Sequence, residues 1–435
     1  MAPWLACYDG EEEDTPIALS DVARRLWRRP GFAKLWAADL LSQFGTQITG
    51  LAVPVVAVVT LRASPVEVGA LRTVEFLPFL GLSLVVGVWV DRRRRRPIMI
   101  GSDLGHALML LALPVAFVLG HLALWHLYIV LFLVGILDVC AEIAAPSYLP
   151  TLIERDQLVA GNTALQINRS AAQTAGPGLA GALIALVGAP MAIVGDILSY
   201  LASGLLLALI REPEPPPAPA SPAAGRSSWR ADIGAGLRYV WGHPLLRALA
   251  LCSAAMNVSF AILNAVLVLY LVRTLGLAVG TIGLIFSLGN LGLFAGTALA
   301  GPLVARAGLG RTLVGAVAIE AVGFTLVPVA PHAALLPALI AAESLQSFGA
   351  VIYNVNQASL RQAITPAAMR GRATATSRLI AWSTLALGPI AAGVMATWVG
   401  PRATLGVGAV AGLIALMPLL LSPVHTLRTI THAEE

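Results

Sequence analysis

Residues 87–96 read Gly87-Val88-Trp89-Val90-Asp91-Arg92-Arg93-Arg94-Arg95-Arg96, a stretch that turns from apolar to densely basic at one aspartate. An apolar run lies on each side of the basic turn, near Val68 to Val90 and near Pro97 to Leu119. Each is long enough, at about 20 residues, to cross a hydrocarbon core. A basic loop between two such runs marks the cytoplasmic side of a membrane, because short cytoplasmic loops are enriched in Lys and Arg. The rest of the chain agrees. It has 435 residues, 57% hydrophobic and 12% charged, where a soluble domain carries about 25% charged residues.

Working outward, the first six spans fall near Leu35 to Leu61, Val68 to Val90, Pro97 to Leu119, Leu122 to Ala144, Ala164 to Val187 and Pro190 to Ile210. A Pro/Ala/Ser stretch from Arg211 to Ser228 interrupts the pattern as an extended linker with nothing to bury. Six more spans follow near Leu245 to Leu271, Gly280 to Val304, Thr312 to Val329, Ala333 to Tyr353, Leu379 to Val399 and Ala403 to Leu421. The expected architecture is therefore an all-α integral membrane protein of twelve transmembrane helices. Its parts are a tail with an interfacial segment (1–31), a six-helix bundle (32–211), a linker with an interfacial helix (212–244), a second six-helix bundle (245–424) and a tail (425–435).

Of 28 basic residues, only Arg62, Arg72, Arg273 and Arg402 fall on or beside the odd-to-even loops. Both termini are thus expected in the cytoplasm, with the chain in a bacterial inner membrane. The net charge of +5 reads as an orientation signal and a contact to acidic lipid head groups rather than to nucleic acid. Lys34 is the single lysine, which excludes a phosphate-binding loop ending in Gly-Lys-Ser/Thr and with it an ATP-driven pump on one chain. Three cysteines without paired spacing give no disulfide framework or structural metal site. Gly176, Gly178 and Gly181 spell G-x-G-x-x-G, but inside an apolar helix they lack the strand a dinucleotide site requires. No H-E-x-x-H or G-x-S-x-G occurs and the seven histidines are scattered, so neither a metal site nor an enzyme is expected.

A constant offset runs through the chain. Arg24, Trp27 and Pro30 recur as Arg238, Trp241 and Pro244, and Gly87 and Arg92 as Gly301 and Arg306, each pair 214 apart; Gly176-Pro177 recurs as Gly388-Pro389 at 212. Each half opens with a short amphipathic segment, Asp21 to Trp27 and Asp232 to Trp241, suited to the membrane interface. Parallel repeats of six helices are a transporter architecture, with the substrate site expected near the midplane between the halves.

These residues resemble the major facilitator superfamily. Gly87, Asp91, Arg92, Arg95 and Arg96 match its loop signature G-x-L-A-D-R-x-G-R-R, with Trp89 in place of Leu and Arg94 in place of Gly; the second departure predicts a differently shaped turn. Ala175-Gly176-Pro177-Gly178-Leu179-Ala180-Gly181 resembles the antiporter signature G-P-x-x-G-G, which implies an exporter. Gly236-Leu237-Arg238-Tyr239-Val240-Trp241 and His243 to Arg247, with Pro78, Asp103 and Asp196-Ile197-Leu198-Ser199, are similar to the macrolide-efflux and enterobactin-exporter-like branch. The fourth span, Val134-Gly135-Ile136-Leu137-Asp138, lacks the arginine other drug:proton antiporters carry there. The resemblance implies that Gly87, Asp91, Arg92, Arg95 and Arg96 form a conformational latch, and that Gly176, Pro177, Gly181, Gly388 and Pro389 let helices bend and rock.

Ionisable groups inside spans are costly and functional by default. Asp39, Gln43 and Gln47 recur every four residues as a polar stripe, and Gln43 has Asn257 as its 214-offset counterpart. Asp138 and Glu142 lie one turn apart, with Arg169 at similar depth in the fifth span; such a carboxylate pair beside an arginine suits either a proton switch or a permanent ion-pair network. Glu320 and Glu343 sit near the centres of the ninth and tenth spans and suit a cationic substrate or a proton. Glu75, three residues from Arg72, reads as an on-helix pair, and Asp103 and Asp196 as helix-to-helix bonds. The expectation is a monomeric secondary transporter without cofactor, exporting a lipophilic or amphiphilic small molecule against protons. The alternatives are a proton-coupled nutrient importer and a non-transporting receptor or assembly factor.

Overall fold

A computed structural model describes residues 25–214 and 229–428. Asp21 to Arg24, most of the Pro/Ala/Ser linker and the chain beyond residue 428 lie outside the described residues. Among those described, eleven helical segments are long and apolar enough to cross a membrane. The other long helix of the bundle, Pro65–Asp91, has 27 residues and packs against the fourth and eleventh spans. The architecture is the expected twelve-helix one, with Trp229–Gly242 as an extra 14-residue helix ahead of the seventh span.

Local chemistry sets the helix starts. Proline at the first helical position begins Pro30–Val55, Pro65–Asp91, Pro244–Leu269 and Pro401–Ile414, where its missing N–H costs nothing. The second span also has a capping box: Ser64 accepts from the Glu67 N–H at 3.4 Å and the Glu67 carboxylate accepts from the Ser64 N–H at 2.6 Å.

Four helices outrun their apolar stretches. The fourth continues to Leu152 and the tenth to Ile364, while the fifth starts at Leu158 and the eleventh at Ala367. Hydropathy marks where a helix leaves lipid, but a helix satisfies its own backbone and continues beyond. All four extensions emerge on the face that carries the linker, here called the linker face. The eighth span breaks at Asn290 into Val279–Gly289 and Leu291–Ala307, and the twelfth into Pro401–Ile414 and Leu416–Leu420.

In the first half the first span packs on the fifth and sixth, the third on the fourth and sixth, and the second on the fourth. In the second half the seventh packs on the eleventh and twelfth, and the ninth on the tenth and twelfth. Between halves the second span meets the eleventh and the fifth meets the eighth. Symmetry extends to backbone detail. The first span ends in a π turn, Val56–Thr60, and the seventh in another, Tyr270–Thr274, 214 positions on.

Candidate functional site

The close approach between the halves is made by small residues next to the two Gly-Pro segments, in the half of the bundle away from the linker. Gly283 of the eighth span lies against the carbonyl of Pro177, and a Cβ on Gly181 would stand 3.0 Å from the Gly283 Cα. The other seam repeats this. Gly69 of the second span lies against the carbonyl of Pro389, and a Cβ on Gly393 would stand 3.0 Å from the Val66 Cα. Gly69 precedes Gly283 by 214 positions, and Pro177 precedes Pro389 by 212. Any side chain at Gly69 or Gly283 would meet backbone, which has no rotamer to retreat into. Gly176 packs on the Gln47 side chain and Gly388 on Ala261, so of the expected pair it is the proline carbonyls, with Gly181, that touch the other half. Gly69 and Gly283 belong to neither signature motif, and in the sequence only their 214 spacing points to them.

Three bonds reinforce this closure. The Gly178 N–H donates to Ser287 Oγ at 2.7 Å, Asn290 Nδ2 donates to the Gln173 carbonyl at 2.7 Å, and Arg273 of the seventh-span π turn donates to the Val58 carbonyl of the first at 2.9 Å. Ser347 of the tenth span donates to Asn290 Oδ1 at 3.0 Å, so the Asn290 break joins three helices.

On the linker face the basic loop has definite partners. The Arg95 and Arg96 N–H groups donate to the Glu214 carboxylate at 2.5 and 3.1 Å, and Arg96 Nε and Nη2 donate to the carbonyls of Leu207 and Ala208 at 2.9 and 2.5 Å. An acid thus caps the positive start of the third span while an arginine caps the negative end of the sixth. The neighbouring Glu212 accepts from the Gly31 N–H at 2.9 Å, at the start of the first span. None of these contacts reaches the second half; they fasten the start of the linker and the end of the sixth span to the first half. Arg92 is exposed, Gly87 has open space around its Cα, and the Asp91 side chain lies outside what is described. The turn differs from its repeat in the second half: Arg94 is extended, φ −68° and ψ 135°, whereas Gly308, its 214-offset counterpart, has φ +84°.

The first half has a polar interior. Asp39 accepts from Asn168 Nδ2 at 2.9 Å and weakly from Gln43 at 3.5 Å, so the first-span stripe is tied to the fifth span. Asp103 accepts from Ser203 at 2.6 Å and Asp196 from Thr49, both helix-to-helix bonds, and Asp196 also accepts from Ser199 of its own helix at 3.1 Å. Arg72 pairs with Glu75 on one helix at 2.9 Å.

The expected grouping of Asp138, Glu142 and Arg169 is not what the structure assembles. Glu142 and Arg169 are exposed, without an ion pair among the described residues. Asp138 instead meets His106 of the third span, Nε2 to Oδ1 at 2.9 Å. Residues four apart share one face of the fourth span, a turn apart, so the two acids differ in depth: Asp138 stands level with His106, and Glu142, one turn nearer the linker face, is exposed. The His106 ring is buried at 1% exposure and stacks on Tyr200, centroids 4.4 Å apart and planes 11° apart. Among seven scattered histidines, His106 is marked in the sequence only by sharing one face of the third span with Ser102 and Asp103.

The second half is sparer. Glu320 is buried and Glu343 half-buried, packed against Gly349 and Gly289, and neither has a hydrogen-bond partner recorded among the described residues. Asn257 is half-buried. The organised polar group here is Tyr353, bonded to Ser253 at 3.0 Å and to the Leu249 carbonyl at 3.2 Å, with Gln357 on Ser253 at 3.3 Å.

Two six-helix halves with paired small-residue seams define a multi-pass membrane transporter of the major facilitator fold. The chain belongs to the transmembrane secretion effector family, whose profile matches residues 26–433. Macrolide efflux protein A of Streptococcus pyogenes is 26% identical over 183 residues, 42% of this chain and 45% of that protein, so that match spans under half of the relative's length. The multidrug efflux pump Tap of Mycolicibacterium fortuitum is 26% identical over 390 residues, 87% of this chain and 91% of that protein. Among solved structures, a bacterial homologue of the iron transporter ferroportin in an inward-facing state superposes with a TM-score of 0.71 at 18% identity, over 91% of this chain and 98% of that one. The nucleoside transporter NupG superposes with 0.71 at 12% identity, over 90% and 98%. Fold and family are those of transporters.

Proposed function

We propose that the chain exports a lipophilic or amphiphilic small molecule, a drug or a natural product such as a siderophore, in exchange for protons across a bacterial inner membrane, with both termini cytoplasmic. The observation that carries this reading is the polar interior of a membrane-embedded half, His106, Asp138, Asp103 and Asp196 on three neighbouring spans. Ionisable groups are kept at that depth at a cost of several kcal/mol, and their usual return is ion movement. Export rather than import is supported by the likeness to Tap over most of both chains. No cofactor is required. Membrane potential supplies about 2.3 kcal/mol per charge per 100 mV, and about 1.4 kcal/mol is tenfold in concentration, so one charge moved per cycle sustains a gradient of roughly 50-fold. The two glycine seams hold the halves together away from the linker, and their parting is the alternating-access step. Asp91 and Arg92 act as the latch on the linker face, and Glu320 and Glu343 line the cargo route in the second half.

The test is intracellular accumulation of macrolides, tetracyclines, ethidium and a catecholate siderophore in an efflux-deficient bacterium, with and without the protein, before and after a protonophore. The expected result is lower accumulation of at least one compound, abolished by the protonophore. Export that persists without a proton gradient would overturn the coupling, and raised accumulation would reverse the direction.

A further inference from the structure

A cavity of about 60 Å³ lies between the polar interior of the first half and the seventh span, its first-half wall including Thr46, Thr49, His106, Asp138, Asp196 and Tyr200. A water needs about 10–15 Å³ of such space. The cavity therefore has room for waters beside the polar side chains. Asn264, Ala265 and Val268 of the seventh span complete its wall, so the second half covers it in this closed arrangement.

The hydrogen bonds of His106 restrict its protons. Nδ1 lies 2.7 Å from the Ser102 carbonyl, and a carbonyl oxygen only accepts, so Nδ1 carries a hydrogen. Nε2 lies 2.9 Å from Asp138 Oδ1. With Nδ1 already protonated, that contact needs one more proton, either on Nε2 facing a carboxylate or on the carboxyl facing a bare Nε2. Remove it and an imidazole lone pair faces a negative oxygen, which repels in a buried site. The contact at 2.9 Å is thus the proton-loaded state, and without that proton the two side chains repel.

We propose that the His106–Asp138 pair is the proton-binding site of the exchange cycle, loaded through the water-sized cavity and exposed or covered as the seventh span moves over it. This rests on the proton-coupled reading above and deepens it. The charged and titratable groups facing the pair are Asp103 on the third span, Asp196 and Tyr200 on the sixth, and the Arg72–Glu75 pair on the second; the first span contributes only the hydroxyls of Thr46 and Thr49. Tyr200 holds the ring by stacking and donates or accepts at Thr46, 3.1 Å away, which positions the imidazole without consuming the proton.

The experiment uses the full-length protein in lipid bilayers, wild type against His106→Gln and Asp138→Asn. Its first arm needs no cargo: nitrogen NMR of labelled imidazoles, with the His106 signal assigned by its loss in the glutamine variant. The expected ring keeps hydrogen on Nδ1 at every pH and undergoes one protonation change that is shifted in Asp138→Asn. A ring protonated only on Nε2, or one whose behaviour ignores Asp138→Asn, overturns the site. The second arm measures ethidium uptake into proteoliposomes under an imposed pH gradient, and ethidium self-exchange without one. Glutamine still bonds across to Asp138, so a merely structural clasp survives His106→Gln. The proposal expects both variants to lose gradient-driven accumulation to the level of empty liposomes and to retain exchange. Gradient-driven uptake unchanged in the variants overturns the site alone. Uptake by wild type that ignores the gradient overturns the coupling reading itself. If ethidium is not carried, the imidazole arm decides.

Discussion

The two halves share their moving parts and differ in their chemistry. The seams are equivalent residue for residue, with Pro65, Val66 and Gly69 standing where Val279, Gly280 and Gly283 stand, and Pro177 and Gly181 where Pro389 and Gly393 stand. The π turns match as well. The polar interiors do not: the first half holds a histidine and four aspartates, each bonded to a partner, while the second holds two glutamates without hydrogen-bond partners among the described residues and a tyrosine-centred hydroxyl group. What a rocking mechanism needs twice is duplicated, and what it needs once has diverged.

The largest effect that would break this equivalence is a side chain at a seam. Gly283→Leu and Gly69→Leu each drive a branched side chain into a proline carbonyl. Overpacking of this kind costs about 1–3 kcal/mol, which shifts the balance between closed and open seams by roughly 5- to 150-fold. Both variants should reach the membrane and lose most export, to the same extent. Normal export by either, or a large difference between them, would undo the claim that the seams are matched gates. Gly301→Leu, at a glycine with open space around it, is the control and should leave export intact.

A smaller effect distinguishes the halves on the linker face. The start of the third span is capped by the Glu214 side chain, whereas the start of the ninth is capped by backbone, Leu309 and Gly310 N–H groups donating to the carbonyls of Arg428 and Leu427 at 3.1 and 2.8 Å. Glu214 and Arg428 are 214 apart, so one position does one job by two means. Glu214→Ala should cost about 1 kcal/mol, the usual worth of a helix cap; Arg428→Ala keeps its carbonyl and should cost nothing measurable. Thermal unfolding of the two variants in detergent reads the difference, and equal losses would mean the capping account is wrong.

The fold was legible because hydropathy, arginine placement and the 214 offset all act along the chain. Helix ends on the linker face were not, since helices such as Leu335–Ile364 carry on past the lipid in polar sequence. The site was legible only as far as single helices reach. The Arg72–Glu75 pair was plain at three-residue spacing, and the aspartates 103 and 196 stood out as acids in apolar runs. The partner of Asp138 was hidden because it lies 32 residues away on another helix, and which face of the fourth span turns to the third is set by packing. Glu214 was hidden for a related reason: in a proline-rich linker it looked like solvated chain, and its capping role exists only once the third and sixth spans lie side by side.

The smallest effect concerns one turn. Arg62 has φ +54°, the only non-glycine among the described residues in the left-handed region, and its counterpart Gly276 has φ +65°. The backbone around them is bonded identically. Leu61 and Ala63 donate to the carbonyls of Val56 and Ala57 at 3.0 and 2.8 Å, and Leu275 and Leu277 to those of Tyr270 and Leu271 at 3.1 and 3.0 Å. The turn dictates the conformation and the residue has to accept it. An L-residue there carries about 1–2 kcal/mol of strain, while glycine brings an entropic cost of about 0.5–1 kcal/mol. Arg62→Gly should therefore stabilise the protein by about 0.5–1 kcal/mol, a rise of about 1–2 °C in Tm, and Gly276→Arg should lower it. The change also removes a positive charge from the side where arginines are sparse, so membrane orientation should not suffer. A Tm for Arg62→Gly at or below wild type would show that the arginine is held by something other than the turn, and that the halves differ at this corner in more than the residue placed there.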